Sequence, residues 1–326
     1  MKTKMRFIQL ALFSLFLLSS VNSFSQSIYA EEHKVFDGIN KLEVKGSFCD
    51  VEIIGSDRTD VKFDGEIKGS SFGGKKFEIK YDVAGDKLIV WIDSPFSFSG
   101  RIESKLQFKV PADTKVLVKN SSGDVYCEGL VSQYNSIRTS SGDVGMQKIK
   151  GDLDLVTSSG EISVKNLIGN LEMESTSGDQ EIKEVVGNIS TQASSGDLEF
   201  KYIEGDISSR TTSGDIEIDN LVGRLKNVSS SGSMEINNSK VYLHLTASSG
   251  DIEGNNLLLV GESFFYTTSG NVDLKLRNDH DQLSFDLVAS SGNLRAGNKK
   301  GDKKLYLRNG EIWIHGKSSS GDQTYY

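Results

Sequence analysis

Five glutamates recur on one even beat: Glu181, Glu199, Glu217, Glu235 and Glu253. Two residues before them stand Asp179, Asp197, Asp215, Ser233 and Asp251. If the chain stacks once per interval, these carboxylates share one outward ribbon with neighbours ~4.8 Å apart. Like charges that close repel unless water or a counterion intervenes. One reading is a hard-cation surface, with Ca²⁺ favoured by clustered oxygen ligands. The other is a solvated face whose aspartates cap turns. Lys165, Lys183 and Lys201 offset the charge only at the N-terminal end. The nine-residue calcium-binding solenoid repeat uses a Gly-Gly-x-Gly-x-Asp turn. No such triple glycine occurs here, so the solvated face is the stronger reading and no resident metal or cofactor is expected.

Other chemistries are weaker. Gly69-Ser-Ser71-Phe-Gly73 matches the letters of a hydrolase elbow. That motif needs a strand-to-helix turn with acid and histidine partners, and here it lies in a Gly/Ser loop between strand-like segments. His33, His244, His280 and His315 have no metal-type spacing. Cys49 and Cys127 read as two small buried thiols. Export would permit a bridge between them, but spacing alone cannot set its geometry. No Gly-rich phosphate cradle precedes a helix, because no helical pattern follows the N-terminus. No catalytic residue is expected.

The glutamates are positioned by a repeat. A Ser-Gly signature, usually followed by Asp, places glycines at 123, 142, 160, 178, 196, 214, 232, 250, 270 and 292. The intervals are 19, six of 18, then 20 and 22. With that glycine as position 0, the aspartates occupy position 1 and the glutamates position 3. Positions 2, 4, 7 and 11 are usually apolar, and position 13 is so in several coils. A second glycine recurs at position 9, as in Gly151, Gly169 and Gly187. Each unit therefore reads as two similar nine-residue halves, a glycine turn followed by a short strand. Positions 15 to 17 form a Thr/Ala/Ser run. It could make a flat ice-binding hydroxyl ladder, but turn chemistry explains it better. One such strand cannot bury its apolar face alone, and stacked copies can.

The expected fold is all-β: a single-stranded parallel β-helix (β-solenoid) of about 18 residues per coil with irregular β-rich caps. Residues 26–114 read as lead-in and cap, and 115–298 as regular coils. Residues 299–326 read as a C-terminal cap, with Leu305–Leu307 and Ile312–Ile314 in a hairpin around Asn309-Gly310. Phe264, Phe265 and Tyr266 are expected to thicken the core.

The chain has 326 residues, 33 Gly, 2 Pro and a net charge of −8. That balance, without a basic run, argues against nucleic acid and gives no reason to dock on anionic lipid. Residues 1–25 read as a signal peptide: Lys2, Lys4 and Arg6, then an apolar run from Phe7 to Leu18, then Ser23 and Ser25 before a cleavage at Gln26. No cysteine directly follows the apolar run, so a lipid anchor is not expected. No second segment is long enough to span a membrane. The expected location is a periplasm, a cell surface or the medium.

These residues carry a family resemblance. The export signal, the β-rich lead-in, Leu106-Gln-Phe-Lys-Val-Pro111 and the serial Ser-Ser-Gly-Asp coils resemble a bacterial family of exported "putative adhesins" built on β-strand repeats. The resemblance spans nearly the whole mature chain. It implies a β-helical fold and no catalytic residues. The resulting expectation is a non-enzymatic adhesin-like or envelope scaffold facing a glycan, surface or envelope partner. The alternatives are a β-helix polysaccharide lyase or hydrolase, and a self-associating structural envelope protein.

Overall fold

The computed structural model describes residues 27–71, 77–95 and 100–326. The expected signal peptide, the loop residue Gly73 and part of the polar excursion after Ser94 lie outside the described residues. Gly69 to Ser71 close the strand Asp60–Ser71.

Each coil contributes two rows of strand. In the first row Val144–Lys150 pairs in parallel with Ile162–Ile168, then Gln180–Val186, then Leu198–Glu204. In the second, Asp152–Ser159 pairs with Leu171–Ser177, then Ile189–Ala193, then Ile207–Thr211. Partners such as Val144 and Ile162, or Leu153 and Leu171, hold the same position in successive coils, so the coil length equals the period of the glycines. The backbone of each coil thus finds its hydrogen-bond partners in the coils above and below. Among the described residues the helical content is one 3-10 turn, His280–Gln282.

Glycine is required at the corner. Gly196 has φ +113°, and a Cβ there would strike the carbonyl oxygen of Gly178 one coil earlier. Only glycine permits both the left-handed backbone and that approach. The two halves of a coil are not alike, however. The half opening at position 0 bends again at position 6, where Lys148, Asn166, Glu184, Tyr202, Asn220, Asn238 and Asn256 have φ between 51° and 59°. The half opening at position 9 runs straight. Its inward alternation therefore continues through 11 and 13 to 15, and Thr157, Ser175, Ala193, Thr211, Ser229 and Ala247 are all buried. Position 15 is thus a core position restricted to small residues. Of the Thr/Ala/Ser run, positions 16 and 17 face solvent.

Both ends close by the same exchange of order. The coil Lys41–Lys45 plus Asp50–Ser56 pairs on one side with Lys115–Asn120 and Val125–Glu128. On its other side it pairs with Lys87–Asp93 and Gly100–Pro111. The second coil in the chain is therefore the outer one, and antiparallel strands Ser27–Asp37, Asp60–Ser71 and Glu78–Ala84 seal it. At the far end Ile312–Ser320 lies between Ser263–Ser269 and Leu283–Ser291, parallel to both. The expected Asn309-Gly310 hairpin does not form, because Lys304–Leu307 is antiparallel to Leu283–Ser291 instead. The buried Ser284 hydroxyl donates to the Gly310 carbonyl (2.7 Å) and accepts from the Asn309 and Gly310 amides, which holds the connection open. Residues 312–325 thus belong to the stack rather than to a terminal cap. Phe265 is in the core, whereas Phe264 is half-buried and Tyr266 exposed, since alternation turns them outward.

Cys49 and Cys127 are both free and buried. Cys127 lies opposite Ile53, four residues beyond Cys49. Burial pushes both thiols up to about 12.

The core changes character midway. Met173, Thr191, Ser209, Asn227 and Leu245 form one row at position 13. Thr191 donates to Gln180 Oε1 at 2.6 Å and Asn227 Nδ2 to Ser209 Oγ at 2.8 Å. Gln180 Nε2, Thr211 Oγ1 and Asn227 Oδ1 are buried without a protein partner. Such atoms bear the desolvation cost of an unmade bond, about 1–3 kcal/mol each. The paired change Gln180→Leu with Thr191→Val is expected to hold or raise the unfolding free energy. Thr191→Val alone strands Gln180 Oε1 beside the already unpaired Nε2 and lowers it by roughly 1–3 kcal/mol. Denaturant titration of the three proteins distinguishes these outcomes.

Candidate functional site

The position-3 row is in register. Ser163 pairs with Glu181, and the row continues through Glu199, Glu217, Glu235 and Glu253. It then reaches Asp273, at the same offset after Gly270 but with aspartate in place of the recurring glutamate. The neighbouring row at position 5 divides this stripe. Lys183 pairs with Glu181 and reaches Glu199 at 3.7 Å. Lys201 pairs with Glu199 and reaches Glu217 at 3.5 Å. Burial disfavours the Lys201 ammonium, but Glu199 and Glu217 outweigh it and raise its pKa. Each lysine thus ties two rungs together. Beyond them position 5 becomes Asp219, Asn237 and Asn255. Glu235, Glu253 and Asp273 form the other half, a trough also lined by Asn237, Asn255, Tyr326 and one cation, Lys275, whose Nζ lies 5.9 Å from the Tyr326 ring centre. Asn237 Nδ2 donates to Glu235 at 2.9 Å, and the Tyr326 hydroxyl is bonded to Asp273. Among the described residues no group of three or more His, Cys, Asp and Glu side chains is placed to hold a metal ion.

The position-1 aspartates do something else. Oδ1 of Asp179 accepts the Asp197 amide at 2.8 Å, Asp197 accepts the Asp215 amide at 2.7 Å, and Asp215 accepts the Ser233 amide at 2.8 Å. Asp251 does the same for Asn271. Each aspartate caps the corner of the next coil rather than its own turn. A second ladder, unnoticed in the sequence, runs at position 10. There Asp152 accepts from Asn170, Asn170 from Asn188, Asn188 from Asp206, and Asp206 from Arg224. Asparagine serves as well as aspartate in it, so the ladder needs an acceptor oxygen and not a charge. Asp179, Asp197, Asp215 and Asp251 thus each commit one carboxylate oxygen to a corner, while Asp197, Asp215 and Asp251 still border the same grooves as Glu199, Glu217, Glu235 and Glu253.

The histidines scatter. His33 sits among Asp64 (2.7 Å) and Glu31 (3.0 Å), and those bonds raise its pKa. His280, in the 3-10 turn, lies against Gly297. His244 and His315 instead share one outward row, separated by Phe264. His244 and Phe264 have centroids 5.3 Å apart, and Phe264 and His315 5.0 Å apart with a 13° interplanar angle. Trp313 stacks on His315 at 5.8 Å and 16°. Tyr306 meets Trp313 at 5.7 Å. Sequence reasoning missed this cluster because its members come from separated strands.

A stack of parallel coils whose outward side chains run in rows is a β-solenoid-like architecture. The chain belongs to the Toastrack DUF4097 family, whose profile matches residues 39–222 and 206–324. The chain is also similar to three solved structures at 12% identity. The first is a "putative cell adhesion protein" from Clostridium sporogenes ATCC 15579, over 91% of this chain and 98% of that one, TM-score 0.19. The second is a "putative adhesin" from Parabacteroides merdae ATCC 43184, over 69% and 95%, TM-score 0.29. The third is a "putative adhesin" from Bacteroides fragilis NCTC 9343, over 93% and 98%, TM-score 0.23. No curated protein matches. No helix of the described residues is long and apolar enough to cross a membrane.

Glu161 marks where the acidic face begins. Burial, then the charges of Asp143, Asp179 and Glu181, raise its pKa. A carboxyl raised in the folded state opposes folding when ionised and stops doing so once protonated. Glu161→Gln should therefore raise the thermal midpoint at pH 7. The gain should shrink as pH falls through the raised value and vanish below the ordinary carboxylate range. Melting curves taken from acid to neutral pH check this.

Proposed function

We propose that this chain is an exported, non-enzymatic, adhesin-like scaffold that holds a repetitive face toward a polymeric partner at or beyond the cell surface. The observation carrying this reading is the strict register of the outward rows, from Glu181 to Glu253 on one face and from Asp152 to Asp206 at a corner. A row repeated every ~4.8 Å meets a repeating ligand at many equivalent points, and weak contacts then multiply through effective concentration. The export signal read at residues 1–25 would deliver the chain to where such ligands are found. Ca²⁺ would act in the trough around Glu235, Glu253 and Asp273, bridging these carboxylates to an acidic polymer.

The test applies the mature chain from Gln26 to a glycan array and to purified envelope polysaccharides, with Ca²⁺ or with chelator. Retention on at least one polymer, without release of reducing ends, is the expected result. Release of reducing ends would assign the chain to polysaccharide-cleaving enzymes. Equal binding with chelator and after Glu235→Gln with Glu253→Gln would remove the acidic stripe and Ca²⁺ from the account.

A further inference from the structure

The outer face of the second strand row is mostly polar and free of aromatic rings through its middle coils. Its outward residues are Asp154 and Val156, then Glu172 and Glu174, Ser190 and Gln192, Ser208 and Arg210. In the last coils the same face turns aromatic. One row runs Lys226, His244, Phe264, His315, Asp286 and Tyr306. Tyr266 flanks it and is 38% exposed, Tyr306 is 54% exposed, and Trp313 is half-buried. The exchange of strand order creates this surface. Without Ile312–Ser320 seated between its neighbours, Trp313 and His315 would not stand beside Phe264.

Aromatic rings in a core satisfy the hydrophobic effect, but these rings face outward on a regular sheet. At 5.0 and 5.8 Å between centroids, nearly parallel rings overlap only in part. Phe264 and His315 each have a ring neighbour on both sides, so the ring surface left for a ligand is mainly that of Tyr266, Tyr306 and the outer part of Trp313. Hydrogen-bonding groups of both signs border them. Glu262 bonds His315 Nε2 at 2.9 Å, Asp286 separates His315 from Tyr306 in the row, and Lys226 and Lys317 stand at its edges. Lys304 continues the flanking row of Tyr266, Lys317 and Val288, so three lysines stand against two carboxylates and the patch offers a polyanion one net charge at most. The fitting ligand is uncharged, has flat apolar C–H faces, and carries hydroxyls that both donate and accept. A pyranose ring has that combination: its C–H face is weakly positive and meets the negative ring face.

We propose that Phe264, Tyr266, Tyr306, Trp313 and His315 form a platform for the sugar rings of a neutral polysaccharide. This deepens the adhesin-like reading and rests on it. It also places neutral-glycan contact at the C-terminal end of the stack, on a face distinct from the glutamate stripe.

Trp313 reports its own occupancy. The sequence holds two tryptophans, so Trp91→Phe leaves Trp313 as the sole indole. In that background, titration with soluble neutral oligosaccharides chosen from the array should shift and quench Trp313 emission with saturation. Trp313→Ala and, separately, the more exposed Tyr306→Ser should each weaken binding roughly tenfold, the loss of one stacked ring. Circular dichroism and melting curves confirm that each variant is folded. Glu235→Gln with Glu253→Gln should leave this binding unchanged. If the array is bound but both aromatic variants bind like the parent, the platform is wrong and the adhesin-like reading stands. If only proteins or acidic polymers are retained and Trp313 emission stays fixed, the neutral-sugar assignment is overturned. Failure to bind any polymer overturns both.

Discussion

The structure depends on one repeated contact, the corner where a glycine of one coil lies against the carbonyl of the glycine before it. At Gly178, Gly196, Gly214 and Gly232 a side chain would collide with backbone that cannot move aside. The Asp or Asn beside the corner then offers its oxygen to the next coil's amide, as Asp197 does for Asp215. Spacing between coils is set there, and the strands inherit it. Once the spacing is uniform, equivalent positions must fall in rows, inside and outside alike. Inside, rows demand residues that pack against their own kind, which branched aliphatics at positions 2, 4, 7 and 11 do well. Outside, rows force like charges together, and the chain answers by alternating Glu199 with Lys183 and Lys201.

A regular stack of this kind has two exposed ends, each a template for further pairing. Both are closed by the same device. At the C-terminal end the chain passes one coil outward, adds an antiparallel strand and returns to fill the place it left; at the N-terminal end the first coil lies inside and the second passes outside it before the stack begins. The closing strands carry charge on their outer edges: Glu31, Glu32, His33 and Lys34 at one end, Lys299, Lys300, Lys303 and Lys304 at the other. Charge at an edge discourages a second copy from adding to it. That works against the self-assembling envelope protein considered from the sequence. The inserted coil is also held on both sides, which ties the end of the chain into the stack more firmly than a terminal hairpin would.

Much of this is legible in residue order, and the illegible remainder has a common cause. The parallel stacking, the inward positions 2, 4, 7 and 11 and the glycine corners follow from local spacing, because each coil repeats its neighbour. Position 15 reads as turn chemistry because its residues are small and polar, whereas the space beside a glycine corner is what limits their size. The bend at position 6 is hidden by its varied residues, although four of its seven members are asparagine, the side chain most tolerant of that backbone after glycine. The Asp/Asn ladder at position 10 is visible as a pattern but lacks the charge regularity that draws attention to the glutamates. The exchanged coils are not legible at all. Ile312–Ser320 has the same alternation whether it ends a hairpin or enters the stack, and what separates the two is the long-range pairing of Lys304–Leu307 with Leu283–Ser291 together with the Ser284 clamp on Asn309 and Gly310.

The same reasoning explains why distinctive side chains gather at the irregular end. In the regular coils a bulky outward ring would recur against its own copy at each step unless the sequence varied, so selection for uniform corners favours small or charged outward residues. Where the glycine intervals widen and a late segment enters from outside, neighbouring strands are no longer copies of one another. His244, Phe264, His315 and Trp313 can then differ in kind while still sharing a row or its border. The regular part supplies rigidity and repetition, and the exchange at its end supplies heterogeneity on the same sheet. A partner recognised by many equivalent contacts along the stack could be recognised by a few particular ones where the repetition stops.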